Sequence, residues 1–130
     1  MYAPHEAFAE ACRTAFIPLI TRYGFAPQEV EPIGRECYVR FHKGPRTVSV
    51  AWEPGSNPIV EFFYPCGPND QATPWAARGN VPYSRRIPHL AVKLRFDPDK
   101  PETVSAYLGA TMQELADKEN AFLQEADNAV

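Results

Sequence analysis

The sequence predicts an α+β domain, an antiparallel β-meander of four to five strands flanked by an N-terminal and a C-terminal helix. Three observations predict it. Apolar residues recur at three- and four-residue steps near both ends of the chain, the signature of helices with one buried stripe. Between them, short runs alternate apolar and polar side chains with period two. Turn-forming stretches, Gly44-Pro45 and Pro54-Gly55-Ser56-Asn57, separate those runs at hairpin spacing.

The first helix is expected over residues 4–23, with Phe8, Cys12, Ala15, Phe16, Leu19 and Tyr23 on one stripe. Pro4 suits its first turn and Gly24 the position past its end. Pro18 removes one backbone donor and crowds the carbonyl of Thr14, so a kink near Ile17, or a break with a short second helix, is expected. Residues 25–33 are weakly extended. Pro27 and Pro32 cannot donate to a ladder, which assigns any strand there to a sheet edge.

Three clearer strands follow at Glu36–Lys43, Thr47–Glu53 and Ile59–Tyr64. A tight turn at Gly44-Pro45 sets Phe41 against Val48, Val39 against Val50 and Cys37 against Trp52, forming one apolar face. Tyr38, Arg40 and His42 point the other way. The next hairpin admits two registers, which exchange the faces of the third strand. The favoured one places Val60, Phe62 and Tyr64 on the core face and turns Glu61 outward, because an unpartnered buried carboxylate costs several kcal/mol. Either register leaves apolar side chains on the second face, which something must cover in part.

Residues 65–87 read as a long irregular loop rich in Pro, Gly and Asn and carrying Trp75, Arg78, Tyr83, Arg85 and Arg86. Residues 89–96 alternate again, and a further strand is expected with Leu90, Val92, Leu94 and Phe96 inward. Asp99-Lys100-Pro101-Glu102 resembles an acidic capping box, opening a helix that runs to about Gln124 with Val104, Leu108, Leu115 and Phe122 near one seam. Glu114 and Lys118 form a four-residue charge pair.

Composition bounds the function classes. The 130 residues fit a single α+β domain over 1–130. Proline, at 14 residues, stands at about twice its usual ~5% and falls mostly at element boundaries. The net charge of −3 lacks the basic excess of a dedicated nucleic-acid binder, so nucleic acid is disfavoured as a partner. No apolar stretch approaches ~18 residues, and no membrane partner is expected. Three cysteines, none in a C-x-x-C pair, suit reduced thiols in a cytoplasmic protein. The first twenty residues contain His5, Glu6, Glu10 and Arg13 and do not read as a signal peptide.

Chemistry-bearing residues are sparse. Cys66 in Pro65-Cys66-Gly67-Pro68 could act as a nucleophile beside His89, but no local motif joins them; a half-buried thiol is the simpler reading. His5, His42, His89 and the cysteines lack the close spacing of a zinc site. No G-x-G-x-x-G, P-loop, G-x-S-x-G or H-E-x-x-H string occurs. No catalytic residue, metal ligand or cofactor is therefore assigned, and the balance lies against an enzyme. Glu61, a carboxylate inside an apolar strand, is expected to form a structural salt bridge with Arg40. Arg85, Arg86, His89, Lys93 and Arg95 form the one basic cluster, without the interleaved aromatics of a stacking platform. Trp75, Arg78 and Tyr83 are the residue types enriched at binding hot spots, or else covers for the second face.

The order helix, Tyr23-Gly24-Phe25, meander with Trp52-Glu53-Pro54-Gly55, Pro58, Glu61-Phe62-Phe63, helix resembles short uncharacterised bacterial α+β proteins, among them immunity proteins of polymorphic toxin systems. The resemblance covers the helix and meander, about half of the chain. It implies a protein-binding module, in the form of an immunity protein that neutralises a bacterial toxin. The expected binding surface comprises Tyr38, Arg40, His42, Glu61, Trp75, Arg78, Tyr83, Arg85 and Arg86. Two alternatives stay open: a small enzyme or ligand-binding domain with a pocket between the sheet and the 65–87 loop, and a structural homodimer.

Overall fold

A computed structural model describes residues 3–26, 29–65 and 83–125. The elements run α1 (Ala3–Ala15), α2 (Ile17–Thr21), β1 (Glu29–Ile33), β2 (Glu36–Lys43), β3 (Arg46–Trp52), β4 (Ile59–Pro65), β5 (Tyr83–Arg86), α3 (Pro101–Lys118) and α4 (Asn120–Gln124). The five strands form one antiparallel sheet in the order β1-β2-β3-β4-β5, a meander in which each strand pairs with its neighbour in sequence. The fold is α+β, with helices at the two ends of the chain and the sheet between them.

Pro18 acts as its chemistry requires. The first helix breaks at Phe16, whose φ of −99° and ψ of 15° leave the helical region, and Pro18 falls in the opening turn of α2. There its missing N–H costs no hydrogen bond. Gly24 follows α2 with φ of +79°, a conformation that L side chains rarely adopt, and the reversal lets the Phe25 N–H reach the Leu19 carbonyl at 2.9 Å. β1 lies at the sheet edge, where the absent N–H of Pro32 is tolerated.

The Gly44-Pro45 turn sets Phe41 opposite Val48, Val39 opposite Val50 and Cys37 opposite Trp52. In the next hairpin Val48 faces Phe62 and Val50 faces Val60, so Val60 and Phe62 join the core face and Glu61 falls on the other. α1 and α3 pack across the core face. Cys37, Val39, Phe41, Val48, Val50 and Phe62 are fully buried there against Phe16, Leu19, Leu108 and Leu115. Each such side chain contributes roughly 1.5–3 kcal/mol by leaving water. A chain of aromatic contacts links the layers: Phe8 stacks on Trp52 at 5.2 Å, Trp52 meets Phe96 at 5.9 Å, and Phe96 meets Tyr107 at 5.5 Å.

The C-terminal region departs from expectation in three places. No strand forms at 89–96; the fifth strand is Tyr83–Arg86, within the segment expected to be an irregular loop. Arg86 pairs with Phe62 and Arg85 with Phe63, occupying the edge of β4 that the later run would need. Residues 87–97 leave the sheet, and Leu90, Val92 and Phe96 pack on the core without a ladder while Leu94 stays half exposed. Second, the Asp99 capping box does not form. Lys100 is the N-cap without a side-chain bond, and Thr103 Oγ1 lies 2.8 Å from the carbonyls of both Asp97 and Lys100, which share its one proton. Third, the last helix breaks at Glu119, and α4 folds back on the sheet. Phe122 stacks on Phe62 at 4.2 Å, Arg46 lies over the Phe122 ring at 4.5 Å, and Lys43 Nζ donates to the Leu123 carbonyl at 3.0 Å. The expected Glu114–Lys118 pair is present at 3.0 Å.

Candidate functional site on the second sheet face

The period of two that sends Val39, Val50 and Val60 to the core sends their neighbours to the opposite face. The register aligns those neighbours in rows that cross the sheet. Glu29, Arg40, Ser49 and Glu61 form one row, and Glu31, Tyr38, Ala51 and Ile59 the next. Beyond them lie Ile33 and Glu36, opposite each other on β1 and β2. On the other side of the first row stand His42, Thr47, Phe63 and Arg85.

Charge alternates across this face. Glu29 and Glu31 of β1 approach Arg40 Nη1 at 3.5 and 3.1 Å. On β4, Glu61 accepts a hydrogen bond from Nε of Arg85 on β5. The sequence expectation of an Arg40–Glu61 bridge is thus corrected: two edge-strand carboxylates take Arg40, and Glu61 is satisfied from the other side. Arg40 also lies 5.0 Å from the centroid of the Tyr38 ring. His42 shares a 3.0 Å hydrogen bond through Nδ1 with Thr47 Oγ1, and its Nε2 lies 3.4 Å from Glu29.

The middle of the face is polar yet buried. Glu61 is 5% exposed, Arg40 9% and Ser49 0%. A buried carboxylate needs a cation and hydrogen bonds to offset its lost hydration, and Arg85 supplies both. Ser49 Oγ has no hydrogen-bond partner among the described residues. The Tyr38 hydroxyl donates to Glu36, and this bond, with burial and the charges of Glu36 and Glu61, pushes the phenol up to about 12 although Arg40 acts the other way.

The remaining expected site residues divide clearly. Tyr38, Arg40, His42, Glu61 and Arg85 share this face. Tyr83 belongs to β5, opposite Pro65. Arg86 turns to the core side: it makes two hydrogen bonds to Glu119, at 2.8 and 3.1 Å, and lies over Phe62 at 5.1 Å. Its guanidinium is held further up by Glu119 and is a structural clamp. Trp75 and Arg78 lie outside the described residues, as does Cys66. The basic cluster is dispersed, since Arg85 pairs with Glu61, Arg86 with Glu119, and Arg95 lies 3.7 Å from Asp97. Glu29, Glu31, Glu36 and Ser49 complete the face and were not singled out from sequence as binding residues; the alternation of β3 was the available signal for Ser49.

Cys12 and Cys37 are buried thiols, both pushed up by desolvation, Cys12 also by the nearby Cys37, which keeps them protonated and inert. Among the described residues no three His, Cys, Asp or Glu side chains are grouped to hold a metal ion. A cleft between α1 and α3, bounded by Phe8, Trp52, Phe96, Pro98 and Val104, has a volume of about 120 Å³ and an apolar lining. Pockets for small ligands are usually ~300 Å³ or larger and carry polar groups that orient the ligand. No described helix is long and apolar enough to cross a membrane.

Comparisons of the chain with family models, curated proteins and solved structures find no match.

Proposed function

We propose that the chain is a protein-binding module that engages its partner through the end of the second sheet face nearest the β1–β2 turn. One observation carries this reading. Ile33 and Ile59, 49% and 50% exposed, lie at the same end of one sheet face with Tyr38 and Ala51 between them. Single exposed apolar residues are ordinary, but two half-exposed isoleucines at one end of the same sheet face support reading that end as an interaction surface. Glu31 lies in the same row as Ile59, Glu36 is paired with Ile33, and Glu53 lies beside Ile59, supplying the polar rim typical of such surfaces. The resemblance to toxin-immunity proteins gives the reading its concrete form: the partner is a bacterial toxin, neutralised by occlusion rather than by chemistry.

The test is reciprocal co-purification at native expression, with the product of the adjacent gene as first candidate. A stoichiometric complex that weakens at least about tenfold in Ile33→Asp and Ile59→Asp, with the fold intact by circular dichroism, supports the reading. A chain that remains alone, beside a gene unrelated to toxins, overturns it.

A further inference from the structure

The sheet is incomplete at one corner. β5 pairs with β4 only as far as Arg86 and Phe62, so Ile59, Val60 and Glu61 have no neighbour on that side among the described residues. Pro88 accounts for the break: carrying the ladder on would set it opposite Val60, where it has no N–H to donate. Alternate residues of an antiparallel strand turn their backbone groups to its two edges. At least one of those three therefore presents its N–H and C=O to the open side. The chain that leaves the ladder is unpaired as well. Residues 87–93 keep a strand's alternation, with Leu90 and Val92 packed on the core and His89, Ala91 and Lys93 exposed. Yet residues 87–96 make no backbone–backbone hydrogen bond within the described structure. Between the open edge and this segment lies a cleft of about 160 Å³, lined by Val60, Leu90, Tyr107 and Thr111. Ile59 and Ile87, 50% and 52% exposed, stand on either side of it. The cleft is too small for a drug-sized ligand and suits one apolar side chain. Open main-chain groups beside an apolar hole are what an added strand uses, the first for affinity and the second for specificity.

Charge selects the strand. Lys93 follows Val92 at the margin of the cleft, and the side chain of Arg95 is 78% exposed. Glu61, the one carboxylate on the open edge, is neutralised by Arg85. We infer that this corner binds an extended acidic segment of a partner protein, which adds to β4 in the place β5 vacates and seats one apolar side chain in the cleft. A second copy of this chain would set Lys93 and Arg95 against their symmetry mates, which like-charge repulsion opposes. The inference goes beyond the second-face reading: it concerns a different part of the sheet and stands without it.

An NMR titration of the ¹⁵N-labelled chain at low ionic strength tests it, with a blocked hexapeptide of alternating glutamate and valine against one of alternating lysine and valine. The glutamate peptide is expected to shift the amides of residues 59–61 and 87–93 and to bind about three- to tenfold more tightly than the lysine peptide. Lys93→Glu with Arg95→Glu, both at exposed positions, should reverse that preference. N-methylating the glutamate peptide at alternate residues separates strand addition from loose attraction. One of the two alternate sets should abolish binding and the other should be tolerated, because only one edge of the peptide faces β4. Ile33→Asp, on the second face, should leave the titration unchanged, which keeps this result distinct from the test of the second-face reading. Equal binding of the two peptides, shifts centred elsewhere, indifference to both methylated forms, or no shift with either peptide overturns the assignment. So does self-association of the chain through these amides.

Discussion

The two faces of one sheet solve opposite problems with the same residue spacing. On the core face, helices α1 and α3 cover Val39, Phe41, Val48, Val50 and Phe62, and stability there comes from non-directional burial. On the second face the central residues are as well buried, but they are Arg40, Ser49 and Glu61, and stability there depends on directional pairing across strands. The first arrangement tolerates repacking but not lost volume. The second tolerates lost volume but not a lost partner.

Truncating one residue on the core face and two on the second tests this contrast. Phe62→Ala should cost the most, about 3–5 kcal/mol, since it empties a fully buried site and removes the stack with Phe122. Urea denaturation should show a lower midpoint with an unchanged slope. Ile59→Ala, on the other face of the same strand, should stay within about 0.5 kcal/mol. Arg85→Ala should cost about 2–3 kcal/mol although Arg85 is itself well exposed, because it strands the buried Glu61 carboxylate; a cost no larger than that of Ile59→Ala would refute the pairing as the source of stability.

Smaller effects carry sign rather than size. Ser49→Ala should be neutral or stabilise by up to about 1 kcal/mol, since the hydroxyl is buried without a partner among the described residues. The Tyr38 phenol should titrate near 12, moving back toward 10.0 in Glu36→Gln, as followed by phenolate absorbance. The folded phenol holds its proton more tightly than the unfolded one. Its contribution to stability is therefore complete below about pH 10 and is lost as pH rises toward 12.

Much of the sheet is legible in the sequence. Period-two alternation locates β2 and β3, an apolar run after the Pro54–Asn57 turn locates β4, and the rule against burying an unpartnered carboxylate selects the register of β4. The outcome refines that rule, since Glu61 did leave the core face and is buried nonetheless. Its partner was not legible, because Arg85 lies 24 residues away on a strand that a four-residue run barely announces. Residues 89–96 misled for a related reason: alternation reports which side chains point inward, not whether the backbone has a ladder to join. The candidate site was half legible. Tyr38, Arg40 and His42 follow from alternation alone, but Arg86 is separated from Arg85 by the same alternation and serves the core side.

The α4 clamp also bears on how the molecule assembles. The meander joins only consecutive strands, and β1 to β4 follow one another through short turns. By contrast, the bond from the Tyr23 hydroxyl to Asn120 spans 97 residues and that from Lys43 to Leu123 spans 80. Closing such loops costs conformational entropy, and α4 is expected to dock after the rate-limiting barrier. Phe122→Ala should then accelerate unfolding while leaving the refolding rate nearly unchanged, and stopped-flow chevrons would show it in the unfolding limb. On this account the last short helix is a latch whose strength sets the lifetime of the native state and not the speed of reaching it.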